Sequence, residues 1–392
     1  MTVYIEAVSL INALGADDDT ILSNLAAGIS PGMVGPTVRT VDGIEVPFGH
    51  AAVSLPQTDP ATPRNQRLLR AAWDAKRETF ERLMGDMPRD RIAVVMGTST
   101  AASQEFSDWW RANAKGSPLP AFEGEWQEMG DPARDLAHYL GITGPAMTIA
   151  TACTSSARAL ISGARLLEAG LVDAVIAGGA DTLAEMPLNG FHALGVLAPT
   201  LTRPLTANRP GITIGEGAGI VWMTKTPMSD TVVKFSGWGE SSDGYHMSSP
   251  EPEGHGAESA IRRALAKASL APNAIRYVNL HGTGTGQNDA AELAAMARIF
   301  EGHVPMSSTK ALTGHTLGAA GVTDAGLLLL SLLKGEGLTF PAQFAPDDRP
   351  DPDLPMAGVI REKTTLPMGP VMSNNFAFGG NNTSLIFEPI QK

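Results

Sequence analysis

The chain has 392 residues, a formal net charge of −12, 43% hydrophobic residues and one cysteine. A single cysteine excludes an intrachain disulfide, and the acidic balance argues against nucleic acid or an anionic membrane surface as the main partner. The start of the chain carries no basic leader, and its most apolar stretch, 325–333, is too short to span a bilayer. We therefore expect a cytoplasmic α/β protein without a membrane span.

Strands and helices are predicted to alternate through the first half of the chain. Apolar periodicity and capping residues predict strands at 4–11, 91–96, 174–178 and 220–224, and helices at 17–25, 64–84, 104–115 and 132–140. Residues 29–63 contain many Pro, Gly and Thr residues and are predicted to be irregular. Residues 187–197 show a mixed pattern that favours neither a helix nor a strand.

The second half repeats this organisation after a Thr/Pro/Met/Ser/Asp segment at 226–231, which predicts two halves, 1–225 and 226–392. Strands are predicted at 232–238, 275–280, 304–307, 371–373 and 384–388, and helices at 256–269, at 289–300 and in an apolar run ending at 333. Both halves contain short apolar strands that lead into Gly/Ser/Thr loops and helices. This pattern predicts an internal duplication in a layered α/β fold, with parallel strands covered by helices on both faces.

The only cysteine lies in residues 146–166, where an apolar strand is predicted to turn sharply into a helix. At that position Cys153 would feel the unpaired N–H groups and the dipole of the helix, which lower the pKa of a thiol and favour the thiolate. Taken alone, a lone cysteine of this kind is more often buried packing than a nucleophile. The decision depends on the rest of the chain.

Two further loops at predicted strand ends carry histidines. His281 begins the sequence HGTGTG, and His315 lies in a small-residue loop that also contains Lys310. Each histidine alone is as often a structural hydrogen-bonding group as a catalyst. Because reactive side chains collect on loops held by a rigid sheet, three such loops bearing Cys, His and His together favour an active site.

The sequences of these loops resemble the active-site motifs of a known enzyme family. TACTSS around Cys153, HGTGTG, STKALTGHTLGAAG and the closing NNFAFGGNN (374–382) are similar to motifs of the β-ketoacyl-acyl-carrier-protein synthases, the elongating condensing enzymes of the thiolase superfamily. The resemblance runs through nearly the whole chain. It implies a duplicated, five-layer αβαβα thiolase-like fold, an acyltransferase activity, an acyl carrier protein as partner and a homodimer.

The same resemblance implies a role for each matching residue. Cys153 would be the nucleophile that accepts an acyl group. His281 and His315 would stabilise the enolate formed when a malonyl thioester loses carbon dioxide. Lys310 would act with Glu292, similar to the family's carboxylate, as a structural and electrostatic pair.

Further positions match residues around the substrate. The backbone N–H groups of Phe378 and Cys153 would form the oxyanion hole, and Phe378 would also gate the site. Thr283 and Thr285 would bind the amides of the pantetheine arm, and Phe376 would contact the substrate. No metal and no cofactor is implied, because the carrier protein itself brings its phosphopantetheine.

Departures from the family pattern suggest a specialised role. Thr206, Pro210 and Ile212 stand where the family often has Asp, Asp and Phe, while Ala377 and Asn381 replace Gly and Thr in the closing turn. Ile212 could alter how decarboxylation is supported, and Ala377 could stiffen the gating loop. The chain also resembles condensing enzymes of aryl polyene pigment pathways.

Two alternatives to the condensing enzyme stay open. The first is a weakly catalytic or non-catalytic subunit, like a chain length factor, in a ketosynthase heterodimer. The second is a cysteine hydrolase, which would leave the second histidine loop unexplained.

A carrier protein is strongly acidic, so this acidic chain needs a local basic surface to bind it. Helical spacing places several basic side chains together as candidates: Arg64, Arg67 and Arg70 on one predicted helix, and Arg111 and Lys115 on another. An ordinary solvated helix face is the alternative for each of these residues.

Overall fold

The computed structural model describes residues 2–55, 62–335 and 337–390; residues 56–61, part of the segment predicted to be irregular, lie outside the described residues. The strands are β1 (Val3–Ile11), β2 (Val38–Arg39), β3 (Glu45–Val46), β4 (Ile92–Gly97), β5 (Ala146–Ile149), β6 (Ala174–Asp181), β7 (Gly217–Thr224), β8 (Val233–Ser242), β9 (Tyr277–Asn279), β10 (Met306–Ser307), β11 (Leu338–Phe340), β12 (Thr364–Leu366), β13 (Val371–Ala377) and β14 (Asn381–Pro389).

The helices are α1 (Asp18–Ala27), α2 (Arg64–Asp74), α3 (Arg77–Met84), α4 (Ser103–Ala114), α5 (Asp131–Tyr139), α6 (Ser155–Glu168), α7 (Glu185–Ala193), α8 (His255–Ala268), α9 (Gly286–Phe300), α10 (Lys310–Thr313) and α11 (Ala320–Lys334). Short 3₁₀ helices lie at Pro31–Val34, Arg89–Arg91, Gly124–Gln127, Pro272–Ala274, Leu317–Ala319 and Phe378–Gly380.

The strand order shows the predicted duplication. The first half contributes strands in the order β1-β7-β6-β4-β5, and the second half contributes the equivalent order β8-β14-β13-β9-β10. In each half the first two pairings are antiparallel and the third, β6 with β4 or β13 with β9, is parallel. The prediction of parallel strands is therefore wrong for part of the sheet. Only antiparallel neighbours can be joined by a turn as short as the one between β13 and β14.

The two halves are joined edge to edge. β1 pairs with β8 in an antiparallel ladder that includes Val3 opposite Phe235, which makes one continuous ten-stranded sheet. The division of the chain at residue 225 stays a prediction.

The two halves of this sheet lie on either side of a central layer of helices, and further helices cover the outer face of each half, which gives five layers. α6 and α11 pack against each other and against strands of both halves, so they form the central layer. α2 and α5 cover the outer face of the first half, and α8 covers that of the second. In β4 the side chains alternate as a two-sided strand requires: Ile92 and Val94 face the outer helices, while Ala93 and Val95 face the central ones.

The central helix α11 is the most apolar segment of the fold. By length and composition Leu317–Lys334 could cross a membrane, but 89% of it is buried inside the protein. Its close approach to α6 depends on Gly321, where an added Cβ would lie 2.3 Å from the backbone nitrogen of Ala157. The segment is therefore the core helix of the layered fold.

Three local segments differ from the prediction. The single helix expected at 64–84 is two helices, because Lys76 leaves the helical conformation (φ −130°, ψ 29°) and pairs with Asp18. The sequence has no Gly or Pro at this break, and the Lys76–Asp18 ion pair joins residues that are distant in sequence. The break could therefore not be predicted from local sequence. The segment with a mixed pattern forms α7, and the irregular segment contains the small β2–β3 hairpin.

Candidate active site

Cys153 lies in a sharp turn between β5 and α6. The preceding residue, Ala152, has φ +53°, a left-handed conformation that non-glycine residues rarely adopt. The Ser155 hydroxyl stabilises the turn: it donates to the Ala152 carbonyl at 2.6 Å and accepts from the Thr151 N–H at 2.9 Å. The predicted order of strand, bend and helix is observed, and the bend fixes the position of Cys153 before the first residue of α6.

The thiol itself is buried. Cys153 is 7% exposed, and its Sγ lies 3.1 Å from Nε2 of His315. Burial raises the pKa of Cys153 to about 11, although the charge of Lys310 and the backbone N–H groups of Phe378 and Cys153 act in the opposite direction. The expected lowering of this pKa by the helix is therefore wrong for the site without substrate, because desolvation of the thiolate outweighs the favourable dipoles.

His315 follows α10 and is held by its own loop. The Leu317 N–H donates to Nδ1 of His315 at 3.2 Å, so the hydrogen of the neutral ring is on Nε2, the nitrogen that faces Cys153. Burial, together with the charge of Lys310, lowers the pKa of His315 to about 3. The imidazole is therefore a neutral hydrogen-bond donor at physiological pH.

His281 follows β9 and lies edge-on to His315, with the ring centroids 5.2 Å apart. The reactive atoms of Cys153, His281 and His315 all lie within 4.8 Å of one another. Burial and then the charge of Lys310 lower the pKa of His281 well below its ordinary value, so this ring is neutral too. The three loops that the sequence singled out thus converge on one point.

The donor types at this point would also suit a metal ion. Cys153, His281 and His315 could each offer one ligand atom. However, Nε2 of His315 carries a hydrogen while Nδ1 accepts the Leu317 N–H, so this ring has no free lone pair towards the centre. The arrangement favours hydrogen bonding over metal ligation, and the absence of a metal from the reaction stays a prediction.

The predicted pairing of Lys310 with Glu292 is wrong. Nζ of Lys310 lies 2.6 Å from Asp324 of α11. Glu292 instead accepts hydrogen bonds from the backbone N–H groups of His281 and Gly282, each at 2.8 Å, and so holds the histidine loop against α9. Burial raises the pKa of Glu292 to about 7.

Sequence reasoning missed Asp324, although a signal was present. It is the one carboxylate in the apolar run of α11, and it is fully buried. A fully buried Asp is rare unless it is paired, so a lone carboxylate in a buried apolar helix indicates a basic partner. Asn375 donates to the same carboxylate at 3.0 Å.

A narrow cavity of about 40 Å³ leads to the thiol. It is lined by the residues that the sequence predicted at the substrate, with others: Cys153, Phe191, Val196, Ile212, Asp243, Ser248, Pro250, His281, Thr283, Thr285, Gln287, Asn288, His315, Phe376, Ala377, Phe378 and Asn382. Ligand pockets usually enclose about 300–1,000 Å³, so this one must widen to admit an acyl chain.

The Phe378 ring closes the cavity. It packs edge-on against Phe191, with the ring centroids 5.5 Å apart. The turn that carries it contains Gly379 and Gly380 at φ +80° and +70°, conformations that glycine adopts readily. Ala377 is extended (φ −113°, ψ 157°), so the alanine fits this position without strain.

The two threonines lie beside each other at the cavity wall. The hydroxyls of Thr283 and Thr285 are 3.1 Å apart, and Thr285 also caps the start of α9. Ile212 packs in a small apolar cluster with Leu317, directly behind the His315 loop. These positions agree with the predicted substrate contacts, whose roles stay predictions.

The predicted basic surface is largely neutralised. Arg64 makes a two-pronged contact with Glu216 at 2.6 and 2.9 Å, and Arg70 pairs with Asp135. Arg111 contacts two acidic side chains. These three arginines form ion pairs, which reduces the free positive charge on both helix faces. A docking role for these faces, which also carry Arg67 and Lys115, stays a prediction.

Two sequence-family models match the chain, the β-ketoacyl synthase N-terminal domain at residues 40–227 and the C-terminal domain at 232–338. Nodulation protein E of Rhizobium meliloti is 35% identical over 267 residues, which cover 66% of this chain and 65% of that relative. 3-oxoacyl-[acyl-carrier-protein] synthase 2 of Vibrio harveyi is 35% identical over 275 residues, with coverage of 66% and 65%. The alignments thus span about 65% of the length of these curated relatives.

Solved structures extend the similarity to the whole chain. A chain of the ketosynthase (ApeO) in complex with its chain length factor (ApeC) from Xenorhabdus doucetiae is 45% identical, with a TM-score of 0.94 and coverage of 99% of this chain and 98% of that chain. A β-ketoacyl synthase from Burkholderia phymatum is 27% identical, with a TM-score of 0.85 and full coverage of both chains (100%). The predicted thiolase-like fold class is confirmed, and the chain belongs to the β-ketoacyl synthase family.

Proposed function

We propose that the chain is a β-ketoacyl-acyl-carrier-protein synthase, an acyltransferase that joins a malonyl unit to an acyl group held on Cys153. The observation that carries this proposal is the contact of 3.1 Å between Sγ of Cys153 and Nε2 of His315, with His281 beside them. A nucleophile surrounded by two neutral imidazole donors suits a reaction that first forms a thioester and then stabilises an enolate.

In the first half-reaction Cys153 takes the acyl group from the carrier protein. Sγ attacks the thioester carbonyl, and the new sulfur–carbon bond forms as the bond to the carrier sulfur breaks. The thiol proton leaves with the carrier, which departs as a free thiol. The backbone N–H groups of Cys153 and Phe378, both close enough to stabilise negative charge on Sγ, would bind the carbonyl oxygen during the attack.

In the second half-reaction a malonyl thioester binds beside the acyl-cysteine. Its carbon–carbon bond to the carboxylate breaks, carbon dioxide departs, and the electron pair stays on the thioester as an enolate. Nε2–H of His315 and the neutral His281 ring donate to the enolate oxygen. The enolate carbon then attacks the acyl carbonyl, the bond to Sγ of Cys153 breaks, and the sulfur takes a proton from water.

Lys310 acts on this step through its charge. It is buried with Asp324, and its positive charge adds to burial, the larger cause, in lowering the pKa of both His281 and His315. Both rings therefore stay neutral donors that do not consume a proton at each turnover. The lysine is too firmly paired to serve as a proton carrier.

The acyl carrier protein would deliver both substrates on its phosphopantetheine arm, and Thr283 and Thr285 line the cavity where that arm would lie. We assign the enzyme to a specialised elongation pathway of the aryl polyene type, supported by 45% identity to a chain of a ketosynthase–chain length factor complex. Since Cys153 and both histidines are present, this chain would be the catalytic subunit and not the chain length factor.

A subunit partner would lie along β5. Ala146–Ile149 forms the outer edge of the sheet and none of its residues is buried, and the nearby α4 also has no buried residue. An open strand edge of this kind presents unpaired N–H and C=O groups, with which a further strand can pair. We propose a chain-length-factor-like subunit there, with a second copy of this chain as the alternative.

The test is a reconstituted assay with malonyl- and acyl-loaded carrier protein, following carbon dioxide and the 3-oxoacyl product. We expect product from the wild type in the presence of its partner subunit and none from Cys153→Ser. Acyl-cysteine without condensation would overturn the proposal in favour of a non-condensing subunit. Release of the free acid would overturn it in favour of a cysteine hydrolase.

A further inference from the structure

Asp181 is a buried carboxylate at the end of β6 that the proposed reaction does not use. Its Oδ1 accepts the hydroxyls of Thr98 and Thr100, each at 2.6 Å. Backbone N–H groups of Ser99 and Thr100 also donate to it, at 3.0 and 2.9 Å. Burial raises the pKa of Asp181, and the hydroxyls of Thr100 and Thr98 and the N–H groups of Ser99 and Thr100 act in the opposite direction. Both carboxylate oxygens face N–H groups, which can only donate, so the carboxylate serves here as a hydrogen-bond acceptor.

The second oxygen of this carboxylate reaches the loop after His315. Oδ2 of Asp181 accepts the Gly318 N–H at 2.6 Å. Leu317, which directly precedes Gly318, has φ +52°, a left-handed conformation that a leucine rarely adopts. Its own N–H donates to Nδ1 of His315 at 3.2 Å.

The loop after His315 and the loop after β4 are packed so closely that Gly318 has no space for a side chain. A Cβ added at Gly318 would lie 2.6 Å from Oδ2 of Asp181 and 2.6 Å from the Ser99 nitrogen. On the other side, Thr98 Oγ1 accepts the N–H of Ala101, which also has a positive φ of +45°. One carboxylate thus holds two strained turns, and one of these turns orients a ring of the active site.

We propose that Asp181 is the positioning residue of His315: by binding the Gly318 N–H it keeps the Leu317 turn in the conformation that fixes the hydrogen of the ring on Nε2, towards Cys153. The inference rests on the proposed condensation, in which that hydrogen binds the enolate oxygen. No other carboxylate oxygen contacts the Leu317 turn among the described residues.

The variant Asp181→Asn is designed to break this link. The amide keeps the size of the carboxylate but has only one oxygen. If that oxygen stays with the Thr98 and Thr100 hydroxyls, the NH₂ group meets the Gly318 N–H, and two donors face each other. The Leu317 turn then loses the contact that holds it, and Nδ1 of His315 loses its donor.

The experiment reads the ring directly, in the full-length protein without substrate. Nitrogen-15 NMR of labelled histidine separates protonated from unprotonated ring nitrogens, and His315→Gln assigns the signals of His315. We expect a single Nε2–H form in the wild type. In Asp181→Asn we expect a second, Nδ1–H form. In a separate assay with malonyl-loaded carrier protein, we expect the decarboxylation rate of this variant to fall about 100-fold, the effect of displacing the donor by about 1 Å.

A matched control exists at Glu6, a buried carboxylate that is not among the residues lining the cavity at the thiol. It accepts the N–H groups of Met228 and Ser229 and the Thr224 hydroxyl, at 2.8, 3.0 and 3.0 Å. Glu6→Gln should leave the His315 tautomer and the decarboxylation rate unchanged, with circular dichroism showing that both variants fold. The acyl-transfer step forms no enolate, so it does not need the hydrogen bond from Nε2–H of His315. Asp181→Asn should therefore lower the rate of Cys153 acylation less than the rate of malonyl decarboxylation.

A second variant tests the same link without changing a charge. Gly318→Ala should push Asp181 away and give the same second tautomer. A folded Asp181→Asn that keeps a single Nε2–H form would overturn the inference, as would an Nδ1–H ring in the wild type. These outcomes are independent of the proposed function, which fails only if the wild type forms no condensation product.

Discussion

Nζ of Lys310 lies 2.6 Å from the carboxylate of Asp324, and each side chain is only 1% exposed. The lysine of this pair acts electrostatically on two neighbouring imidazoles and has almost no contact with solvent. Burial makes such a pair costly to break, since the partner left behind would be an uncompensated charge. This relationship connects the stability of the central helix to the protonation state of the active site.

Asp324→Asn should lower the free energy of unfolding by about 3–5 kcal/mol, because Lys310 would lose its buried partner. Urea unfolding followed by circular dichroism measures the change. The half-buried pair of Lys234 and Glu388, 3.0 Å apart at the protein surface, is the control, and Glu388→Gln should cost less than about 1 kcal/mol. Equal losses in the two variants would contradict a special role for burial. Replacing both partners, as in Lys310→Met with Asp324→Leu, should lose less stability than Asp324→Asn alone.

The alkylation of Cys153 should report its raised pKa. With a pKa of about 11, the thiol is protonated at neutral pH, so its reaction with iodoacetamide should accelerate about tenfold per pH unit between pH 7 and 10. The rate is measured by mass spectrometry after short exposures, and Cys153→Ser supplies the unlabelled baseline. A rate that levels off below pH 8 would show that the N–H groups and Lys310 outweigh burial.

Removing either imidazole should separate the two half-reactions. His281→Ala and His315→Ala should each lower malonyl decarboxylation by about 100- to 1,000-fold, as expected for the loss of one donor to a developing oxyanion. Acylation of Cys153 should fall much less. His192, which pairs with Asp42 at the surface, provides the control, and His192→Ala should leave both steps unchanged. Equal loss of both steps would show that the histidines act on the thiol and not on the enolate.

The reactive residues could be predicted from the sequence because each lies in a loop that follows a strand of the sheet, with the short helix α10 between β10 and His315. The sheet brings such loops together whatever the remaining detail, so Cys153, His281 and His315 meet as expected. The partner of Lys310 could not be predicted in this way. Glu292 and Asp324 both lie on helices that follow active-site loops, and only the packing of α11 decides which carboxylate reaches the lysine.

The raised pKa of Cys153 could also not be predicted from the neighbouring sequence. Helix geometry is a local property, and it predicted a lowered pKa for Cys153. Burial is produced by segments distant in sequence, such as the loops of His315 and Phe378 that close over the sulfur. Asp181 was missed for a related reason, because its contact with Gly318 spans 137 residues of sequence.

The last prediction concerns Glu292, whose carboxylate holds the His281 loop through two backbone N–H groups. Burial raises its pKa to about 7 from an ordinary value of 4.5, so folding favours the protonated carboxyl. Its contribution to stability is then fully present below about pH 4.5 and is lost as the pH rises to about 7. A shift of this size corresponds to roughly 3 kcal/mol at most. In Glu292→Gln this dependence should vanish, because the amide does not titrate. The measurement is the urea midpoint of both proteins from pH 4.5 to 8, and their difference cancels the other titrating groups. A wild type that instead gains stability over the variant as the pH rises would show that the two N–H groups outweigh burial and hold Glu292 as an anion.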